Sequence, residues 1–261
     1  MCDMNNPHVK KLFYKISLLE HTDYDKAPPL SGETDDFRWR LNKDQLEVKM
    51  KIYFATEYEA RQIVDEYLKN WEVAIGLYHE PDSLKFTFER AKFFDLQFPD
   101  ENGMLNLDAS IEPITTTLDA ILHISHKEFL PPPPNFKASP EVEMMFLRYK
   151  LYRQGQEPLL NMAYWCFTVL EYSAGGRSEA TDQYGIDYRV FRKLGELWSN
   201  REDVNEIRKL KGTGIRTPLK PSEREWVRAV VKSLILRAGE YAFNPNSKLP
   251  MITMADLPSI Q

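Results

Sequence analysis

Four consecutive prolines at residues 131–134 constrain this chain more than any other feature. Each lacks an amide proton and fixes φ, so the run fits neither a helix interior nor a central strand and favours stiff polyproline II. The charge also changes sign there. The net charge is −5, but residues 1–134 hold 15 Lys+Arg against 24 Asp+Glu, giving −9, and residues 135–261 hold 19 against 15, giving +4. All five histidines (His8, His21, His79, His123, His126) lie in the acidic part. The expected organisation is a mixed α+β domain over 1–130, a proline-rich strap over 131–138, a helical bundle over 139–243 and an extended surface tail over 244–261.

Before the prolines the pattern alternates between periods. Residues 12–19 (LFYKISLL) and 45–54 (QLEVKMKIYF) read as strands, with Leu46, Val48, Met50 and Ile52 on one face. Between them APPLSGETDD places Pro, Gly, Ser and Asp in turn positions. From Thr56 the period becomes helical, with Ala60, Ile63, Val64, Tyr67, Leu68, Trp71 and Ile75 on one stripe that ends near Gly76. Residues 84–94 (LKFTFERAKFF) read as another strand. Residues 114–129 fit a strand through the alternation of Leu118, Ala120, Leu122 and Ile124, or a helix capped at Thr115 to Thr117, and strand is the reading taken. The expected domain is a mixed antiparallel sheet with a covering helix.

After the prolines every segment reads as helix. Ser139-Pro140-Glu141 is a helix start, and Val142, Met145, Phe146, Tyr149 and Tyr152 form its buried stripe up to Gly155. Residues 158–174 (PLLNMAYWCFTVLEYSA) are apolar on nearly every side, which predicts a central helix surrounded by protein and closed at Gly175-Gly176. Shorter helices are expected over 178–184 and 187–198. The last begins at the capping-box match Ser222-Glu223-Arg224-Glu225 and buries Trp226, Val227, Val230, Leu234, Ile235 and Tyr241. The fold class is therefore α+β, ending in an all-α bundle.

Apolar runs such as residues 162–170 fall far short of the roughly 20 residues needed to cross a bilayer, so no membrane association is expected. The first ten residues show no charged and apolar succession of a secretory signal. With only Cys2 and Cys166 there is no disulfide framework, and the expected location is the cytoplasm.

Local chemistry is sparse. Asp119, His123 and His126 stand at i, i+4 and i+7; on a helix they share a face able to hold one metal ion, and on a strand the two histidines point apart. The competing reading is two histidines near the strap. Residues 208–220 contain Arg208, Lys209, Lys211, Arg216 and Lys220 around Gly212-Thr213-Gly214, without an acid. Neither the order nor a preceding strand fits a nucleotide phosphate loop, which leaves a basic loop for phosphates or an ordinary solvated one. Residues 178–198 loosely fit helix-turn-helix spacing through Thr181, Gly185, Ile186, Phe191 and Leu194, and would offer Arg189, Arg192 and Lys193 to a groove. Arg224, Arg228 and Lys232 recur every four residues as a basic ridge, read as a solvated face. Glu171 is a buried polar candidate in the apolar helix, expected to pair with Arg177 or to mark a site. Cys166 reads as a small core residue. No nucleophile elbow or dinucleotide glycine pattern is present, so no cofactor and no catalytic residue is assigned.

The run PPPPNFKASPEVEMMFLRYKLYRQGQEPLLNMAYWCFTVLEYSAGGR, with YGIDYRVFRKLGEL and the terminal ITMADLP, resembles bacterial methylamine-utilisation proteins of the MauJ type over residues 131–258. That resemblance implies a bacterial cytoplasmic accessory protein and carries no reaction with it. The bundle also distantly resembles HEPN-type helical modules, whose nuclease signature is an Arg followed by a His. Arg237 has no His after it, and the helical half contains none. The expected function is a non-enzymatic accessory or interaction protein with a protein partner or self-association. The alternative is a nucleic-acid-binding or nuclease-like effector using the basic helical half.

Overall fold

The computed structural model describes residues 8–17, 22–24, 26–94, 124–125, 128–202 and 217–260. The fold is α+β, in two compact units: residues 1–68 with 82–131, and residues 69–81 with 132–261.

The first unit is built on a five-stranded antiparallel sheet of β1 (His8–Ser17), β3 (Leu30–Glu33), β4 (Phe37–Asn42), β5 (Gln45–Met50) and β6 (Lys85–Phe94), in the order β3-β4-β5-β1-β6. A short parallel pair joins β2 (Thr22–Asp23) to β7 (Ile124–Ser125). Most of the ambiguous segment 114–129 lies outside the described residues. Leu12, Tyr14 and Ile16 of β1, Leu46, Val48 and Met50 of β5, and Phe37, Trp39 and Leu41 of β4 are all buried. Helix α1 (Glu57–Tyr78) covers this face with Ala60, Val64 and Leu68. Tyr14 donates to Asp65 Oδ1 at 2.6 Å, Trp39 Nε1 donates to Tyr67 Oη at 2.9 Å, and the Arg61 guanidinium lies 4.2 Å from the Phe88 ring centroid. Polar side chains of the helix thereby meet the rim of the apolar face.

One expectation needed correction here. Strand β5 ends at Met50, and Ile52 is exposed instead of sharing its buried face. Helix α1 ends at Tyr78, near Gly76 as expected, and the absence of a Cβ at Gly76 lets the Phe146 ring sit against the backbone.

The second unit is a bundle of α2 (Pro140–Arg153), α3 (Leu159–Ala174), α4 (Arg177–Tyr184), α5 (Tyr188–Asn200) and α6 (Pro221–Phe243), with residues 69–81. Ser139 caps α2 by accepting from the Val142 amide, as its sequence predicts. Gly175, in the left-handed region at φ +86, closes α3, and the Gly176 amide donates to the Glu171 carbonyl. The core joins Val73, Ala74 and Leu77 to the buried faces of α2 through α6, with Trp226, Tyr149 and Phe167 among its largest members. Burying side chains of this size stabilises the unit by about 1.5–3 kcal/mol each.

Helix α3 is not enclosed on all sides. Tyr164 and Tyr172 are 54% and 89% exposed, because every fourth position faces away from the core. The capping box of α6 also lies two residues earlier than expected: Lys220 is the N-cap, and Glu223 accepts from its amide at 2.8 Å. Glu223, only 3% exposed, further accepts from Arg201 Nη2 at 2.6 Å, tying the chain after α5 to the first turn of α6. Beside that pair, β8 (Arg201–Glu202) runs parallel to β9 (Thr217–Pro218). The C-terminal tail is pinned: Ile252 donates to the Gly185 carbonyl at 2.7 Å and accepts from Asp187 at 2.9 Å, before a 3-10 turn at Met254–Asp256.

Burial alone would raise the Glu223 pKa, but the Arg201 guanidinium and the Lys220 amide outweigh it and hold the carboxyl below its ordinary value. Its contribution to stability is thus full above the unfolded value of about 4.3 and falls as pH drops through the folded one. Glu223→Gln should cost about 2 kcal/mol by urea unfolding at neutral pH. The gap from wild type should begin to narrow below roughly pH 4 and keep closing as the pH falls; a gap that persists unchanged to pH 3 would refute the ion-pair account.

Candidate functional site

In an antiparallel sheet alternate side chains point to opposite faces, so the residues between the buried ones of the first unit form a second surface. Register places Glu33, Arg38, Lys49, Lys11 and Lys92 in one row across all five strands. The next row is Ser31, Arg40, Glu47, Phe13 and Arg90, followed by Asn42, Gln45, Lys15 and Thr87. Lys85 extends the surface opposite Ser17. Neighbouring side chains in a row stand about 5 Å apart and successive rows about 7 Å apart.

Arg38, Arg40, Lys49, Lys15, Lys85, Arg90 and Lys92 are exposed and Lys11 is partly so. Against these eight cations stand Glu33, Glu47 and Glu89, leaving +5 on a unit whose sequence is strongly acidic. Glu33 bridges Lys51 and Arg38 at 3.0 and 2.9 Å, and these two hold its carboxyl below the usual range, Lys51 most strongly. Glu47 pairs with Lys11 at 2.7 Å. Among the described residues Arg40, Lys49, Lys15, Lys85 and Lys92 make no ion pair. Phe13 is 7% exposed because the Arg90 guanidinium lies 4.0 Å from its ring centroid. Such a surface can neutralise a run of anions.

The sites expected in the helical unit look different. Arg189 is held by Asp187 through Nε and Nη2, at 2.7 Å for the shortest contact, which draws the Asp187 carboxyl down and the guanidinium up in pKa. Arg192 and Lys193 share Glu196 at 3.6 and 3.4 Å. The turn before α5 carries the pinned tail. Lys220 serves as the α6 N-cap, while Arg208, Lys209, Lys211 and Arg216 lie outside the described residues. So do Asp119, His123 and His126, and no metal-ligand cluster occurs among the described residues.

Glu171 pairs with Arg177 at 2.7 Å, as one of its two readings expects, but the pair is partly exposed and not buried. Cys166 is fully buried, and burial, then Glu157, pushes its thiol far above the ordinary range. The sheet surface escapes a reading based on net charge by halves. Its signal is local: Arg38 and Arg40 alternate with Phe37, Trp39 and Leu41, as Lys11 and Lys15 do with Leu12, Tyr14 and Ile16.

No family model, curated protein or solved structure matches the chain. Among the described residues no helix is long and apolar enough to cross a membrane. In a Cys2→Ser background, the Cys166 thiol should react with a thiol reagent only at the rate of unfolding. Rapid labelling of native protein would show an accessible thiolate instead.

Proposed function

We propose that the protein is a non-enzymatic accessory protein of the bacterial cytoplasm that binds a single strand of nucleic acid on the open face of its sheet. The row Arg38, Lys49, Lys11 and Lys92 carries this reading. Like charges directly opposed on neighbouring strands destabilise a sheet by a few tenths to about 1 kcal/mol per pair, and a polyanion laid across them reverses the sign.

A protein partner would require buried aromatic or aliphatic anchors, whereas the single ring in these rows, Phe13, is covered by Arg90. A guanidinium held over a ring offers a platform for an unstacked base. The partner in this reading is a strand with accessible bases. The bacterial, cytoplasmic setting is supported by the resemblance of residues 131–258 and by the absence of a disulfide framework.

A second reading, a protein partner or a second copy on the helical unit, is favoured by the exposed Met144 and Leu147 of α2 and Tyr164 and Tyr172 of α3.

The test is fluorescence polarisation with single-stranded RNA and DNA oligonucleotides across a salt series. With about five phosphates neutralised, log K should fall against log salt with a slope of about −3.5. The triple variant Arg40→Glu, Lys49→Glu, Lys92→Glu should abolish binding, and Arg189→Glu with Arg192→Glu should leave it intact. The reverse pattern would move the site to the helical half. Binding of an acidic polypeptide but of no oligonucleotide would assign the face to a protein partner.

A further inference from the structure

We propose that the helical unit holds a second, independent site for a small oxyanion, of the phosphate class, where Tyr149 and Arg153 of α2 meet Arg228 and Lys232 of α6. Each pair is spaced i, i+4 and so shares one helix face. Lys232 Nζ lies 5.8 Å from the Tyr149 ring centroid. The one carboxylate in the cluster, Glu80, is bound to Arg153 at 2.5 Å. Neither Arg228 nor Lys232 makes an ion pair among the described residues; Arg228 has only a 3.4 Å contact to the Arg224 carbonyl. Three cations thus face one carboxylate.

The second observation is the Tyr149 hydroxyl. The residue is completely buried, its hydroxyl proton meets no acceptor in hydrogen-bond geometry, and the Arg153 guanidinium and Glu80 both act on it, Arg153 as a donor as well as a charge. A buried hydroxyl proton without an acceptor is costly and calls for one. An oxyanion beside Lys232 would accept from that hydroxyl, satisfy the unpaired ammonium and guanidinium, and compete with Glu80 for Arg153. Burial first, and then Arg153 and Arg228, draw the Lys232 pKa down against the opposing pull of Glu80, as expected of a cation short of a counter-ion.

The experiment is thermal unfolding of the full chain in inorganic phosphate against chloride at constant ionic strength, with affinity taken from the saturation curve. Wild type should be stabilised saturably by phosphate. Lys232→Gln should weaken that affinity about tenfold or more. Tyr149→Phe should lose about five- to tenfold in phosphate affinity. Lys193→Gln on α5, and the sheet variant Arg40→Glu with Lys49→Glu, should keep the wild-type response. An absence of phosphate-specific stabilisation, or a response that Lys232→Gln leaves unchanged, would overturn the proposal. Loss of the response in the sheet variant would overturn it too, assigning phosphate to the sheet surface.

Discussion

The first unit depends on a sheet being covered on one face only. Helix α1 seals the face made by Leu12, Leu46, Val48 and Leu41, and the pleat then commits every intervening residue to the opposite surface. A one-residue slip would bury Lys11, Lys49 and Arg40 and expose the core. The register that builds the core is therefore the same register that aligns the cations. Core and surface cannot be altered independently in this architecture, which is why the cation rows are a property of the fold and not a scatter of charged side chains.

The helical unit solves a different problem. Its core is large, but the segments joining its helices need polar anchors, and the Arg201–Glu223 pair supplies one where α6 begins. The tail supplies another by pairing Ile252 with the turn between α4 and α5. Carboxylates also accompany the basic residues of α5: Asp187 at Arg189, and Glu196 at Arg192 and Lys193. Such exposed pairs contribute little stability, yet they dilute the local field that a polyanion would sense.

Much of the architecture is legible in the chain. The α+β class, the covering helix, the Ser139 cap and the glycine closure of α3 follow from periodicity and capping chemistry. What escapes is informative. Strand β4 hides behind a turn-rich stretch, because Phe37, Trp39 and Leu41 alternate with arginines over only six residues. The exposure of Tyr164 and Tyr172 cannot be read from an apolar helix, since composition does not say which side lacks a neighbour. The charged surface is invisible to a sum over residues 1–134, because acids elsewhere in the unit cancel it; it emerges only when register places β4, β5, β1 and β6 side by side. Likewise the Tyr149 cluster joins residues 73 positions apart on one side and 83 on the other, so no local motif announces it.

The most direct measurement of the central claim is a lysine-modification footprint by mass spectrometry, comparing free protein with protein saturated by a single-stranded oligonucleotide at low salt. The account predicts protection of Lys11, Lys49 and Lys92 with Lys193 and Lys220 labelled as before. Protection confined to Lys193 and Lys220, or no change at the sheet lysines under saturating oligonucleotide, would contradict it.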